Sequence, residues 1–261
     1  MGVFSYSQHD SLIPSSFLTC KRKGQRSAGG KKVMNRIPEP ELMNDPAQAH
    51  AYAHADFAAP HQRFVTLFSE EFPALLTPRH VLDLGCGAAD VTLRFARAFP
   101  QCVIDAVDGA EQMLKHARDT IAQVEMQSRI HLHHHCLPAT QLPLHRYDVI
   151  ISNSLLHHLH DPAVLWNAIK SHACDGAAIF VLDLFRPASI EQAQALVEHN
   201  ARNEPAILKR DFFNSLLAAF RIDEIRLQLQ ECGLQQLQVR AVSDRHVLIS
   251  GKFQLNNPIS I

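Results

Sequence analysis

Short apolar runs alternate along the chain with longer amphipathic stretches. The short apolar runs predict strands at Val81–Leu84, Val103–Val107, Ile130–His135, Tyr147–Ser152, Ala177–Leu182, Leu237–Val242 and Val247–Phe253. The period-3.6 stretches between them predict helices at Val91–Ala98, Ala110–Val124, Pro162–His172 and Ile222–Cys232. Because strands that alternate with helices form a mostly parallel sheet covered on both faces, the pattern predicts a doubly wound α/β fold. The short turn at 243–245 predicts that the last two strands form an antiparallel hairpin.

Three regions depart from this alternation. Residues 1–33 carry six basic side chains against Asp10 and many serines, which predicts a disordered leader. Two explanations of the leader stay open: translation starting at Met34, with the leader a gene-model extension, or a basic arm that binds RNA. The pattern at residues 34–75 predicts an N-terminal cap made of two short helices, with the break between them at Pro60. Residues 189–220 predict a helical, polar-rich insertion within a single domain spanning 34–261.

Composition narrows the class of protein. The chain has 261 residues, of which 46% are hydrophobic and 20% charged, as is typical of a globular protein. Twenty-five basic against 26 acidic residues give a net charge of −1, which argues against nucleic acid as a partner. No apolar run approaches the length of a membrane span. Six dispersed cysteines without a CxxC pair favour reduced thiols and a cytoplasmic location.

The richest motif is the stretch Val81-Leu82-Asp83-Leu84-Gly85-Cys86-Gly87, a strand that runs into a Gly-x-Gly turn. Glycine permits positive φ and lets a ligand lie against the main chain. A dinucleotide fingerprint would have a third glycine at the position of Asp90. Because a carboxylate there would repel a pyrophosphate, and Asp83 adds a second one, the loop suits a ligand with a cationic part.

Asp108 ends the second predicted strand, 21 residues beyond Gly87. A carboxylate in this position can accept both hydroxyls of a ribose. The two features together predict an adenosine-containing ligand, and the cationic preference of the loop makes NAD the weaker candidate.

The ordered set Asp83-x-Gly85-x-Gly87, Asp108-Gly109 with Met113, and the run at 147–159 ending in Leu155-Leu156-His157-His158-Leu159 resembles class I S-adenosylmethionine-dependent methyltransferases. Within that class it resembles the small-molecule branch that contains ubiquinone and menaquinone C-methyltransferases. The resemblance covers roughly residues 78–185. It implies a Rossmann-like, seven-stranded, mostly parallel sheet with an antiparallel final hairpin. It also implies S-adenosylmethionine as cofactor, S-adenosylhomocysteine as product and a small-molecule acceptor.

The resemblance also implies roles for individual residues. Asp83 and the backbone at Gly85, Cys86 and Gly87 would hold the methionine part of the cofactor. Asp108 and Gly109 would hold the ribose, and Met113 would pack on the adenine. Cys136 and Leu137 would lie near the adenine amine, and Asn153 and Ser154 would face the sulfonium.

Catalytic and acceptor-binding candidates follow the fourth and fifth strands. His157 and His158 are candidate general bases at the predicted mouth of the site, with loop capping as the structural alternative. Asp183 is a further catalytic candidate. Arg186 could bind an acceptor carboxylate or instead pair with Asp183. Tyr52, with His54, could close over the cofactor, and Asn214 of the insertion could line the acceptor site.

No metal ion is predicted. His131, His133 and His135 share one face of a strand, but neighbours on one face lie about 6.6–7 Å apart, which is long for ligands of a single ion. Two alternatives to a small-molecule methyltransferase stay open: an RNA methyltransferase that uses the basic leader, and a noncatalytic cofactor-binding sensor or scaffold. A homodimer is also left open.

Overall fold

The structure is a computed structural model that describes residues 34–75, 77–138, 142–143 and 146–255. The predictions about the leader at 1–33 therefore lie outside the described residues. The strands are β1 His80–Leu84, β2 Val103–Asp108, β3 Ile130–His134, β4 Tyr147–Asn153, β5 Ala173–Leu184, β6 Gln238–Ala241 and β7 His246–Lys252. The helices are α1 Pro46–Ala53, α2 Ala58–Glu71, α3 Asp90–Ala98, α4 Glu111–Gln123, α5 Ala163–His172, α6 Ile190–Asn200, α7 Ala206–Ala218 and α8 Ile222–Glu231.

The seven strands form one sheet in the order β3-β2-β1-β4-β5-β7-β6. The pairings among β1 to β5 are parallel, and β7 runs antiparallel to both β5 and β6. This confirms the predicted mixed sheet with its final antiparallel hairpin. The strand order reverses between β1 and β4, and such a switch point opens a crevice at the carboxyl ends of the strands where ligands bind.

Alternate side chains of the central strands enter two different cores. Val81 and Val149 lie in one core, whereas Leu82 and Ile150 lie in the other. Because successive strand residues point to opposite faces, burial on both faces explains why these strands are continuous apolar runs. Helices α2, α3 and α4 contribute to the first core, and α5 and α8 contribute to the second.

Aromatic side chains tie α2 to the sheet. Phe64 packs edge-on against Phe180 of β5 with ring centroids 4.9 Å apart, and Phe68 meets Phe95 of α3 at 4.8 Å. These rings are fully buried. Edge-to-face pairs add to the stabilisation from their buried area, so the N-terminal helix α2 is an integral part of the domain.

Two boundaries differ from the sequence predictions. The helical break lies at 54–57, and Pro60 sits inside the first turn of α2. A proline is tolerated there because first-turn N–H groups have no intrahelical partner. Strand β5 begins at Ala173, four residues earlier than predicted, and passes through Gly176 with φ +76°. The pairing with β4 shifts register between Tyr147 and Val149, so the residues Asp175 and Gly176 lie at an irregularity within the strand and not before it.

Residues 34–45 have no regular structure and lie against the carboxyl-edge loops; we call this segment the strap. The guanidinium of Arg36 donates hydrogen bonds to the carbonyls of Ala218, His157 and Leu159, and it stacks 3.9 Å above the ring of Phe220. The strap therefore joins the end of β4 to the segment that follows α7. None of the helices in the described ranges has both the length and the apolar character that a bilayer crossing requires.

Candidate functional site

The turn between β1 and α3, residues 85–89, is held to the end of β2 by its own amides; we call it the glycine loop. The N–H groups of Gly85 and Cys86 donate to the Val107 carbonyl at 2.8 and 3.0 Å, and the N–H of Gly87 donates to the Asp108 carboxylate at 2.8 Å. Because these amides are used within the protein, they are not free to bind a pyrophosphate. The loop instead presents its glycine backbone as a packing surface.

Asp108 is the junction between β2, the glycine loop and α4. Its Oδ2 accepts from Gly87, and its Oδ1 accepts from the Ala110 N–H at 2.7 Å. Burial raises the pKa of Asp108, and the two backbone donors partly offset that effect. Each carboxylate oxygen retains a second lone pair, so the ribose contact predicted for Asp108 is chemically available.

Glycine is required at two positions in the loop. Gly85 and Gly87 have φ of +76° and +54°. A Cβ on Gly85 would lie 2.9 Å from the Leu155 side chain, and a Cβ on Gly87 would lie 3.2 Å from Cε of Met113. The loop thus forms a cradle that a side chain would fill, with Met113 on the side predicted for the adenine.

Asp83 lies beneath the glycine loop and is buried. Its Oδ2 accepts a hydrogen bond from the Thr92 hydroxyl of α3 at 2.6 Å. Burial, with a smaller contribution from Asp108, raises the pKa of Asp83 to about 7, although the Thr92 bond works in the opposite direction. A nearby cation would stabilise the ionised form of Asp83, which suits a positively charged ligand part.

The thiol of the loop belongs to Cys86. Cys86 is buried in the core under α3, and burial raises the pKa of its thiol. Any contact of Cys86 with a ligand would therefore involve its backbone. Cys86 is one of five free cysteines among the described residues.

The predicted adenine side lies after β2 and β3. A Cβ on Gly109 would meet Sγ of Cys136 at 3.0 Å and Cδ2 of Leu42 at 2.8 Å. Gly109 and Cys136 therefore lie together as predicted, and Leu42 of the strap joins them. Leu137 packs on the core formed by the opposite face of β1 and β4. Sequence reasoning missed Leu42 because nothing in its own surroundings marks it as a site residue.

The end of β4 approaches the glycine loop from the other side. Asn153 is the last residue of β4, and Ser154 follows in a left-handed conformation with φ +56°. The Ser154 N–H donates to the Leu182 carbonyl at 2.9 Å. This tight turn directs Leu155 onto Gly85, so the residues predicted to face the sulfonium do lie beside the loop.

Tyr52 of α1 lies over the same crevice. It packs on the small cluster of Ala49, Ala110 and Met113. Burial, reinforced by the carboxylates of Asp90, Asp108 and Asp183, raises the pKa of Tyr52 to about 12. His54 is exposed, and its ring lies 4.0 Å from that of His50, so of this predicted pair Tyr52 alone packs on the crevice cluster.

Arg186 and Asn214 have different surroundings from those expected. The buried Arg186 donates to the Ala219 carbonyl at 2.9 Å and to Glu224 at 2.6 Å. The predicted pairing of Arg186 with Asp183 is therefore wrong, because Arg186 pairs with Glu224 and Asp183 pairs with His157. Asn214 is half-buried on α7. Acceptor contacts by these two residues remain predictions.

Asp90, which replaces the third glycine of a dinucleotide loop, begins α3 and is paired. Its Oδ2 accepts from His61 at 2.6 Å and from Arg94 at 2.8 Å. Burial raises the pKa of Asp90, but the two basic partners outweigh this and hold it at about 2. Its charge is therefore compensated locally, so the engaged loop amides, more than Asp90, argue against a pyrophosphate.

His157 and Asp183 form a buried pair at the ends of β4 and β5. Nδ1 of His157 lies 2.5 Å from Oδ1 of Asp183, and Asp183 also accepts from the N–H groups of Leu156 and Leu184. Burial lowers the pKa of His157, but the Asp183 carboxylate outweighs it and the pKa is raised. Burial and the neighbouring His157 lower the pKa of His158 to about 3. Asp183 therefore organises the turn after β4.

Glu39 of the strap completes this group of side chains. Its Oε1 lies 3.7 Å from Nε2 of His157 and 3.5 Å from Nδ1 of His158. Burial, the largest influence, raises the pKa of Glu39. Sequence reasoning missed Glu39 because it lies far from His157 in the chain, and the only local signal was the proline-punctuated acidic stretch at 37–41.

The histidine-rich strand β3 has carboxylate partners. Nε2 of His133 lies 2.7 Å from Oδ1 of the buried Asp105, and Nδ1 of His131 lies 3.7 Å from the same atom. Asp105 also accepts from the Tyr147 hydroxyl at 2.9 Å. These contacts give His133 a structural role at the edge of the sheet.

Comparison with known proteins identifies relatives of part of the chain. Residues 82–179 match the family model described as a methyltransferase domain. Leu82 to Leu84 of β1, the glycine loop, Asp108 and β4 all lie within that match. This part of the chain is therefore similar to methyltransferase domains, as its sequence resemblance implied.

Individual relatives share this domain. The chain is 33% identical over 135 residues to malonyl-[acyl-carrier protein] O-methyltransferase of Bacillus cereus, a match that covers 50% of this chain and 48% of that protein. It is 32% identical over 137 residues to trans-aconitate 2-methyltransferase of Mycobacterium ulcerans, covering 51% and 47%. The chain spans about half the length of the curated relatives it matches.

A solved structure shares the fold. The SAM-dependent methyltransferase from Aquifex aeolicus superposes with a TM-score of 0.57 at 17% identity, over 80% of this chain and 98% of that one. The similarity confirms the Rossmann-like architecture. The more specific resemblance to quinone C-methyltransferases stays a prediction.

Proposed function

We propose that this protein transfers a methyl group from S-adenosylmethionine to a small-molecule acceptor. The main support is the position of Asp108 at the carboxyl end of β2, next to β1, where its carboxylate fixes the glycine loop and keeps lone pairs for a ribose. The matched methyltransferase domain contains this residue and the loop. The malonyl-[acyl-carrier protein] and trans-aconitate methyltransferases support the choice of a small-molecule acceptor.

The residues present fit the cofactor. The cradle at Gly85 and Gly87 has no side chain of its own, and Leu155 and Met113 border it. The engaged loop amides disfavour a pyrophosphate. The buried carboxylate of Asp83 would stabilise a cationic methionine part. Met113 lies against Gly87 and Cys136 lies against Gly109, and both are predicted to lie near the adenine; Leu42 also lies on Gly109.

The bound cofactor would supply a methyl group already activated by a sulfonium. The protein then has to align the acceptor with this group and exclude water. Positioning can contribute about 7–11 kcal/mol to such a displacement. The strap and Tyr52 support the exclusion of water, because Leu42 lies on Gly109 and Tyr52 covers the Met113 cluster.

A general base is not required by the proposal. His157, His158 and Asp183 remain predicted catalytic residues, but the pairing of His157 with Asp183 supports a structural role equally well. Helices α6 and α7 correspond to the predicted insertion and would line the acceptor pocket. In support of this, Gln48 of α1, the helix over the crevice, donates a hydrogen bond of 2.9 Å to Asp211 of α7. We further propose a cytoplasmic enzyme; whether it is a homodimer stays open.

Calorimetry of cofactor binding tests the proposal. Wild-type protein should bind S-adenosylmethionine and S-adenosylhomocysteine with micromolar affinity, and Asp108→Ala should abolish measurable binding. Asp119→Ala, which removes an exposed carboxylate from the neighbouring α4, is the matched control and should bind as the wild type does. NADH should not bind. Binding of NADH but of neither sulfur compound would overturn the assignment.

A methyl-transfer assay separates the alternatives. Protein supplied with cofactor carrying a labelled methyl group would be offered malonyl-acyl carrier protein, trans-aconitate, quinone precursors and tRNA. Label on a small molecule supports the proposal, whereas label on RNA that disappears on truncation to Met34 supports the RNA alternative. Cofactor binding without transfer to any acceptor would favour a sensor or scaffold.

A further inference from the structure

Glu39, His157 and His158 form a cluster of ligand atoms outside the glycine loop; we call it the Glu39 cluster. Its members come from the strap and from the turn after β4. One ligand atom from each residue lies within 4.8 Å of the other two. Oε1 of Glu39 is 3.7 Å from Nε2 of His157 and 3.5 Å from Nδ1 of His158. The side chains of His157 and Glu39 are 3% and 11% exposed, so the gap between them is sheltered.

The hydrogen bonds of the two rings decide which nitrogens carry lone pairs. Nδ1 of His157 faces Oδ1 of Asp183 at 2.5 Å and therefore carries the proton, which leaves Nε2 directed at Glu39. His158 hydrogen-bonds to the backbone of Pro40. Its Nδ1 is buried and has no hydrogen-bond partner among the described residues, so the bond to Pro40 uses Nε2. These two imidazole nitrogens and the carboxylate oxygen lie within 4.8 Å of one another, with the ring centroids 4.2 Å apart.

Oε1 of Glu39 accepts a hydrogen bond from the Ser215 hydroxyl at 2.9 Å, but among the described residues no hydrogen bond joins it to either histidine nitrogen. A proton on Nε2 of His157 would have to span 3.7 Å to Glu39, which is too long for a hydrogen bond. A metal ion bound at about 2.1 Å from each ligand in tetrahedral geometry would separate the ligand atoms by about 3.4 Å. The observed separations of 3.5 and 3.7 Å match that spacing.

The surroundings of the Glu39 cluster are also those of a metal site. Each member has an outer partner: the Asp183 carboxylate for His157, the Pro40 backbone for His158, and the Ser215 hydroxyl for Glu39 at 2.9 Å. Such outer partners fix the orientation of ligating side chains in metalloproteins. Two imidazoles and one carboxylate, with a fourth position left for water, form a donor set that suits zinc.

We propose that the Glu39 cluster binds one zinc-type divalent ion, which fastens the strap to the end of β4. The ion would bridge Glu39 and the two histidines, so it would hold the strap, and with it Leu42, over the predicted cofactor crevice. This departs from the sequence prediction of no metal, which was argued from the histidines of β3.

Metal titration of the chelator-treated full-length protein, without cofactor, tests this proposal. Wild-type protein should bind one equivalent of Zn²⁺ tightly, measured by competition with a chromophoric chelator. Glu39→Gln and His158→Ala should lose this tight equivalent. Ser215→Ala removes only the outer partner of Glu39 and should weaken binding by about 10–100-fold. Cobalt(II) should give d–d absorption bands without the thiolate charge-transfer band that cysteine ligation would produce.

An exposed histidine group provides the matched control. His50, His54 and His116 have ring centroids 4.0–5.8 Å apart on α1 and α4 and could bind metal adventitiously. The double variant His50→Ala/His54→Ala should keep the tight equivalent. Zn²⁺ should also raise the melting temperature and slow proteolysis of the strap in wild-type protein but not in Glu39→Gln.

Two results would overturn the proposal. One is the absence of a stoichiometric, tightly bound ion in wild-type protein. The other is equal Zn²⁺ affinity in wild-type and Glu39→Gln proteins with matching circular dichroism spectra. Because the titration uses no cofactor and no acceptor, its outcome is independent of the proposed methyl transfer.

Discussion

Replacing Asp83 with asparagine should remove a pH dependence from the stability of the protein. The pKa of Asp83 is raised from 3.8 to about 7 by burial. Because the folded-state value lies above the unfolded one, the contribution of Asp83 to stability is full below about pH 4 and is lost as the pH rises through about 7. A shift of about three pKa units corresponds to about 4 kcal/mol.

Denaturant unfolding of both proteins between pH 4 and pH 8 measures this effect. The free energy of unfolding of wild-type protein should fall, relative to that of Asp83→Asn, by up to about 4 kcal/mol across this range. Thr92→Val is the matched variant, because it removes the hydrogen bond that stabilises the ionised carboxylate. It should move the midpoint of the decline to higher pH. If the free energies of unfolding of wild type and Asp83→Asn change in parallel with pH, the pKa of Asp83 is not raised in the folded protein.

The same carboxylate links cofactor binding to protons. A cation bound beside Asp83 favours its ionised form, so binding of S-adenosylmethionine near pH 6.5 should release protons. Calorimetry in buffers that differ in ionisation enthalpy measures the number released. Asp83→Asn should release fewer protons than wild type. Equal release by the two proteins would show that the ionisation of Asp83 does not change when the ligand binds.

Three further changes test other parts of the structure. Arg36→Ala removes three hydrogen bonds and the stacking on Phe220, and it should lower the free energy of unfolding in guanidinium chloride by about 2–4 kcal/mol; an unchanged midpoint would contradict the role of the strap. Gly87→Ala places a methyl group 3.2 Å from Met113 at φ +54°, and calorimetry should show at least a tenfold loss of S-adenosylmethionine affinity; wild-type affinity would argue against the cradle. Phe180→Ala should cost about 3–5 kcal/mol in thermal unfolding, because the ring packs between α2 and the sheet; a loss below about 1 kcal/mol would contradict this.

The sheet could be predicted because its strands are buried on both faces. Such strands are continuous apolar runs, and Asp83 and Asp108 stood out at the ends of two of them. The helical pattern near Pro60 was harder to interpret, because a proline interrupts a helix or begins one according to its position in the turn.

The partners of polar side chains could not be predicted from the sequence. Arg186 pairs with Glu224 although Asp183 is closer in the sequence. The Asp183 carboxylate instead accepts hydrogen bonds from His157 and from two backbone amides. Glu39 lies beside the two histidines, and Arg36 of the same strap binds the carbonyls of His157 and Leu159. These contacts join residues widely separated in the chain, and no local pattern of apolar and polar residues encodes them.

We propose that Asp108 and the glycine loop hold the cofactor, and a crystal structure of the protein with S-adenosylhomocysteine would show whether they do. We expect both ribose hydroxyls within hydrogen-bond distance of the Asp108 carboxylate and the adenine beside Met113. A nucleoside bound elsewhere on the sheet, or a ribose without contact to Asp108, would contradict the account.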